Sequence, residues 1–363
     1  MATPTSKPRK SRKSRKSRKP RRSNDDIYKG LAETIIGAIQ RVLDGTDDRL
    51  PWRQPWLGKG PGGAFDRNPH TGTTYRGINT LVLWLRRAAQ GYSDNRWGTY
   101  KNWQDVGGQV RRGEKGTQVI YWNFIEKIVE DANGTPERDA SGQIKTRRIG
   151  FLKTSTVFNR DQVDGLEGEK WSPVEPSSEE PTDPTADETS PLAEAVIGAS
   201  KCPVRYQGAQ AYYNLTADSI TLPPRAAFEA AEGFYATALH EQIHSTLGRL
   251  DEVHTTENRR KNRRKGGKHH KGTQAYAFEE LVAEFGSAFL CAATGVRPAA
   301  DVDANHVAYL LYWIQVLKDD PKKLYEASIL AEDASKYLLA AAGLDGHGEA
   351  LKDDAKEVKS SAA

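Results

Sequence analysis

Five residues concentrate the chemistry of this chain: His240-Glu241-Gln242-Ile243-His244, an H-E-x-x-H motif. In a helix, positions i and i+4 share a face, so both imidazoles can hold one zinc ion. Glu241 then lies beside the metal and can take a proton from an activated water. The surrounding residues favour helix: Pro223-Pro224 can open it, a run of alanines from Ala226 to Ala238 propagates it, and Gly248 can stop it. Phe234, Leu239, Ile243 and Leu247 give it a packing face. The reading is a zinc hydrolase, with a protein or peptide as its substrate.

Catalytic zinc keeps three protein ligands and leaves one position open. Tyr276 to Phe285 begins a second apolar helix with three carboxylates, Glu279, Glu280 and Glu284. Glu280 and Glu284 share a face, so Glu280 can bind the metal while Glu284 accepts a ring N–H from a ligand histidine; the spacing also allows the reverse. Glu279 points about 100° away and is the weaker candidate. A third histidine in H-E-x-x-H-x-x-G-x-x-H spacing is excluded, because position 250 is Leu250. His254 remains a rival ligand from a loop. Tyr212, Tyr213, Tyr276, His306 and Tyr309 are candidates to stabilise an oxyanion.

These elements need a scaffold, and 363 residues suffice for two or three domains. A mean hydropathy of −0.71 and the lack of a long apolar run argue against a membrane span, and the N-terminus lacks a secretory leader pattern. A cytoplasmic location is expected. Cys202 and Cys291 are too few for a disulfide framework, and Cys291 reads as a small core residue.

The net charge of +5 hides an asymmetry: residues 7–22 carry eleven Lys or Arg and no acid, so the remainder is mildly acidic. Residues 1–23 read as a disordered basic tail able to grip phosphates. Residues 171–191, alternating Pro with Asp and Glu, read as a linker. It separates a domain at 24–170 from a metal-bearing domain at 192–345, and 346–363 reads as a frayed tail. Helices are expected at 26–44, 78–90 and 101–107. Strands are expected at 118–128 and 150–158, joined by an exposed polar loop, and later at 211–215 and 219–222. The last of these could serve as an edge that aligns an extended peptide. The fold class is α+β.

Six of the eight tryptophans fall between Trp52 and Trp122, among many cations and glycine turns. Aromatic rings interleaved with Arg and Lys suit single-stranded DNA, whose bases stack while phosphates meet cations. Trp84 reads as core, whereas Trp52 and Trp56, beside prolines, read as surface rings. The expected contacts are the aromatics Trp52, Trp56 and Trp97 and the polar groups Arg53, Arg76, Asn79, Arg111, Arg112 and Lys115.

Several ordered blocks now resemble a known family, the ArdC-type antirestriction proteins of plasmids and phages. They are Pro51 to Trp56 (PWRQPW), Tyr75 to Asn79 (YRGIN), Gly107 to Gly116 (GGQVRRGEKG), Val157 to Asn159 (VFN), the H-E-x-x-H motif, and Glu279 to Glu284 (EELVAE). The resemblance covers most of residues 26–340. It implies a single-stranded-DNA-binding domain before a zincin-like metallopeptidase domain, zinc as cofactor, and a role in mobile-element transfer. The chain departs from the pattern in the basic stretch Asn258 to Lys271, which either guides DNA or an acidic protein to the metal or is a solvated insertion. Three functional classes stay open. One is a DNA-associated metallopeptidase; another is a non-catalytic protein that coats single strands and carries a structural zinc; the third is a nucleic-acid enzyme such as a nuclease or primase accessory.

Overall fold

The computed structural model of the chain describes residues 23–50, 52–53, 65–131, 134–139, 141–166, 168, 189–267, 273–297 and 304–351. Residues 1–22 of the basic tail, 171–188 of the Pro-rich linker, Trp56 and the last twelve residues lie outside the described residues.

The N-terminal half opens with α1 (Asn24–Leu43), started by Ser23, whose side chain and that of Asp26 cap each other's backbone. Its apolar stripe, Ile27, Leu31, Ile35 and Ile39, is buried. After it come α2 (Ile78–Gln90), β1 (Trp97–Thr99), α3 (Tyr100–Asp105), β2 (Gln109–Val110), β3 (Thr117–Ile128), β4 (Thr146–Asn159) and β5 (Val163–Asp164). Gly91 ends α2 at φ 65°, a left-handed backbone that glycine adopts without steric cost. One sheet has the order β1-β4-β3, all antiparallel, and β2 pairs with β5. β3 and β4 continue beyond their helix-covered base as a long two-stranded ribbon.

The C-terminal half contains α4 (Pro191–Gly198), β6 (Val204–Tyr206), β7 (Tyr212–Asn214), β8 (Ser219–Leu222), α5 (Ala231–Ser245), α6 (Leu250–Val253), α7 (Glu257–Gly267), α8 (Gln274–Thr294), α9 (Ala304–Asp319) and α10 (Lys322–Ala341). The sheet order is β6-β8-β7, so β8 is central and fully buried, and cannot be the peptide-aligning edge expected of residues 219–222. The exposed edges belong to β6 and β7. The motif helix begins at Ala231 rather than at Pro224, because residues 225–227 form a separate 3-10 turn.

α8 is buried along nearly its whole length and is the axis of the molecule. It packs on α5, α7, α9 and α10, and it also receives side chains from the N-terminal half. The Trp52 ring meets Phe285 edge-on at 5.1 Å, and Trp84 meets Phe289 at 5.9 Å. Buried residues of both halves belong to one apolar core. Cys291 is a buried free thiol in that core. Among the described residues, no helix is long and apolar enough to cross a membrane.

Candidate metal centre and nucleic-acid interface

α5 and α8 cross where side chains are small or absent. A β-carbon on Gly286 would lie 2.7 Å from the Ile243 side chain, and Ser287 Oγ donates to the Ala236 carbonyl at 3.1 Å. Beyond α5, Arg249 grips Asp218 with two hydrogen bonds of 3.0 and 2.7 Å, and Tyr213 donates to the same carboxylate at 2.8 Å. These contacts tie the end of the motif helix to the β7–β8 turn.

The crossing brings His240, His244 and Glu280 together. The Nε2 atoms of the two histidines are 3.1 Å apart, and Glu280 lies 3.6 Å from His240 Nε2 and 3.4 Å from His244 Nε2. A tetrahedral zinc with bonds of 2.0–2.1 Å would space its donors by about 3.3 Å. One ligand atom from each residue lies within 4.8 Å of the others, so the donor set and its spacing fit a single divalent cation. Glu241, on the next residue of α5, is buried. His254 stands elsewhere: its ring is buried and Nδ1 meets Asp333 at 3.0 Å, so it is not brought to this cluster.

Each ring's other nitrogen faces a carboxylate. His244 Nδ1 is 3.3 Å from Glu279, which is itself held by Arg263 at 2.7 and 3.1 Å. His240 Nδ1 is 4.0 Å from Glu284, which receives Arg53 Nε at 2.6 Å, Arg53 Nη2 at 2.8 Å and Trp52 Nε1 at 3.0 Å. Glu284 therefore faces His240 at longer than hydrogen-bond distance, short of the bond to a ring N–H expected of it. Glu279, expected to point away, supplies the closer contact. The two rings sit one turn apart on α5 and are flanked from both sides, so carboxylates on two faces of α8 reach them.

Charges here are strongly coupled. Burial opposes a charged ring at His244, yet the Glu280 and Glu279 carboxylates beside it raise its affinity for a proton well above that of an ordinary histidine. Burial likewise opposes ionised Glu280, but His244 and His240 hold it well below the usual carboxylate range. Burial dominates at Tyr276, whose hydroxyl is pushed well up, with hydrogen bonds to Glu280 and Tyr309 adding to the shift. Of the oxyanion candidates, Tyr276 reaches the ligand cluster. Tyr213 is engaged by Asp218, and Tyr212 is exposed. The side chain of His306 lies outside the described residues.

Within the basic stretch between α5 and α8, residues 257–267 form α7, and 268–271 lie outside the described residues. Arg263 is wholly buried and bonds Glu279, Thr246 and the Ile243 carbonyl. Arg259 bonds Asp333. The stretch holds eight Lys or Arg, and one of them, Arg263, is drawn into the interior against Glu279.

The expected DNA contacts divide sharply. Trp52 and Trp97, 1% and 0% exposed, cannot stack on bases; the Trp97 indole donates to Asp66 at 3.0 Å. Beside a proline or not, a ring this large was drawn inward wherever its N–H found a buried acceptor. Asn79 spans α2 and β3 through both the N–H and the carbonyl of Ile120, at 2.8 and 2.7 Å. Arg53 is committed to Glu284. Arg111 pairs with Glu114 and Asp164, while Arg76, Arg112 and Lys115 are exposed.

The pattern did not single out the β3–β4 ribbon. One face pairs Tyr121 with Lys153, Ile125 with Ile149 and Lys127 with Arg147. Lys153 Nζ sits 5.6 Å from the Tyr121 ring centre, and Tyr121 and Ile125 are 41% and 51% exposed, so a ring and cations are presented together, with no acid among the described residues of the paired strands on that face. The other face turns Trp122 toward Tyr325 of α10. Strand alternation in the sequence could have found this surface, once the register was known.

A family model described as the N-terminal domain of anti-restriction factor ArdC matches residues 25–158, and one described as a zincin-like metallopeptidase matches residues 191–330. The metal-free crystal structure of the antirestriction ArdC protein from plasmid R388 is 32% identical, covers 87% of this chain and 98% of that chain, and superposes with a TM-score of 0.64. Its Mn(II)-bound structure gives 31%, the same coverage and 0.62. The uncharacterized protein y4eC of Sinorhizobium fredii is 32% identical over 87% of this chain and 92% of its own length. A DNA primase TraC of Escherichia coli is 36% identical over 83% of this chain, which spans only 26% of that protein's length. The chain belongs to the ArdC antirestriction family.

Proposed function

We propose that this chain is a cytoplasmic, DNA-associated zinc metallopeptidase that binds single-stranded DNA and protects incoming mobile-element DNA from restriction. The observation that carries the reading is the convergence of His240, His244 and Glu280, with donors 3.1–3.6 Å apart and Glu241 on the adjoining residue. Three protein ligands leave a fourth position open, the pattern of catalytic zinc; structural sites use four.

His240, His244 and Glu280 would hold the cation, which supplies Lewis acidity that activates water and polarises the scissile carbonyl. Glu241 takes the proton of the attacking water and delivers it to the departing amine. Tyr276, beside Glu280, donates its hydroxyl hydrogen to the developing oxyanion. Glu279 accepts the Nδ1 hydrogen of His244 and so leaves its Nε2 lone pair for the cation, while Glu284, 4.0 Å from His240 Nδ1, sets a negative charge beside the other ring. Single-stranded DNA lies on the exposed ribbon face, with bases on Tyr121 and phosphates on Lys127, Arg147 and Lys153.

Glu241→Gln tests the reaction. It keeps the volume and the metal ligands, so bound zinc should be unchanged while peptide cleavage falls by a factor on the order of 10² or more. Undiminished cleavage would refute the assignment. Retained protection of DNA in a variant that has lost cleavage would instead favour coating of the strand.

A further inference from the structure

Each of the two histidines faces a carboxylate gripped by an arginine, at 3.3 Å for His244 and at 4.0 Å for His240. His244 faces Glu279, which is gripped by Arg263 of α7, a neighbour within the same half. His240 faces Glu284, which is gripped by Arg53, 231 residues distant in sequence and part of the N-terminal half. Leu50 is wholly buried and its carbonyl accepts the Arg53 amide at 2.9 Å, which anchors Arg53 beside α8. The Arg53 fork takes one oxygen of Glu284 with Nε and the other with Nη2, and the Trp52 indole adds a second donor to Oε1. Three donors on one carboxylate fix its plane and aim Oε2 at His240 Nδ1.

We propose that Trp52 and Arg53 are positioning residues of the metal centre: they lock Glu284 toward His240, so the centre is complete only when the N-terminal half is packed on α8. The inference rests on the metal-binding reading of His240, His244 and Glu280. It gives the Pro-Trp-Arg segment a task other than DNA contact and explains why its indole is buried. It also links the two halves energetically. Whatever shifts that segment alters metal affinity, and metal occupancy stabilises the segment by the same factor.

The test uses full-length protein with Co(II) as probe, read by its ligand-field absorption and by competition with a chelator; thermal unfolding of the metal-free form monitors the fold. Arg53→Gln and Trp52→Phe are each expected to weaken Co(II) binding by roughly tenfold, the lower end of what loss of an outer partner costs, and to change the absorption spectrum. Glu284→Gln should lose at least as much. Adding Arg53→Gln to it should cost nothing further, since the arginine acts through that carboxylate. Trp52→Phe keeps a ring against Phe285 and stays informative if Arg53→Gln fails to fold. Wild-type affinity and spectrum in a folded variant, or additive losses in the double variant, overturn the proposal. Peptide cleavage is not read, so a protein that binds Co(II) yet cleaves nothing refutes the peptidase assignment and leaves this one intact.

Discussion

Gly286 of α8 lies so close to Ile243 of α5 that a β-carbon would meet three atoms of the isoleucine at 2.7, 2.8 and 3.1 Å. The contact sets the separation of the helices that carry the proposed metal ligands, since Ile243 precedes His244 and α8 carries Glu280. Gly286→Ala gains about 1 kcal/mol of helix propensity but overpacks the crossing at roughly 1–3 kcal/mol. We expect a lower unfolding midpoint and weaker metal binding. An alanine variant with unchanged midpoint and affinity would show that Ile243 moves aside freely.

Arg263 should behave unlike its neighbours in α7. It is buried against buried Glu279, so Arg263→Met strands a desolvated carboxylate and should cost about 3–5 kcal/mol in denaturant unfolding. Arg260, paired with largely exposed Asp251 and Glu257, should cost about 0–1 kcal/mol when changed to alanine. Equal effects of the two substitutions would contradict the structural role of Arg263.

His254 predicts acid sensitivity. Burial depresses its basicity, Asp333 partly restoring it and Arg263 and Arg259 opposing it, and its Nε2 is buried without a partner. The folded ring is therefore neutral where the unfolded ring, with a pKa near 6.5, takes up a proton. Stability present above about pH 6.5 is lost as pH falls through that value toward the depressed folded pKa. His254→Gln should flatten the slope of unfolding free energy against pH just below about pH 6.5. A wild-type slope in that variant would assign the acid sensitivity to other groups.

The ribbon should hold nucleic acid. Tyr121→Ala removes a stacking ring and should weaken single-stranded-DNA binding by about 1–3 kcal/mol. Lys153→Ala should weaken it and reduce the salt slope by about 0.7. Trp97→Phe, inside the core, should leave affinity unchanged in folded protein. Fluorescence anisotropy across a salt series reads all three, and an unaffected Tyr121→Ala would move the strand elsewhere.

The metal motif and the helices around it were legible because they are local. Two histidines four apart must share a helical face, and the apolar period of Ile27 to Ile39 or Ile78 to Leu85 marks a buried stripe wherever the helix ends up. The acidic partners were legible as a set, since three carboxylates on a buried helix need partners. Which carboxylate faces which ring depended on the angle at which α5 and α8 cross, and no spacing within one helix contains that angle. The tryptophans were ambiguous for a related reason. An indole serves equally in a core or under a base, and the choice fell to distant acceptors, Glu284 for Trp52 and Asp66 for Trp97. Sequence thus determined the chemistry available, through residue types and short spacings. Tertiary packing alone decided that Arg53 and Glu284, 231 positions apart, meet beside His240, because burying a carboxylate demands a counter-charge from whichever segment the core brings near.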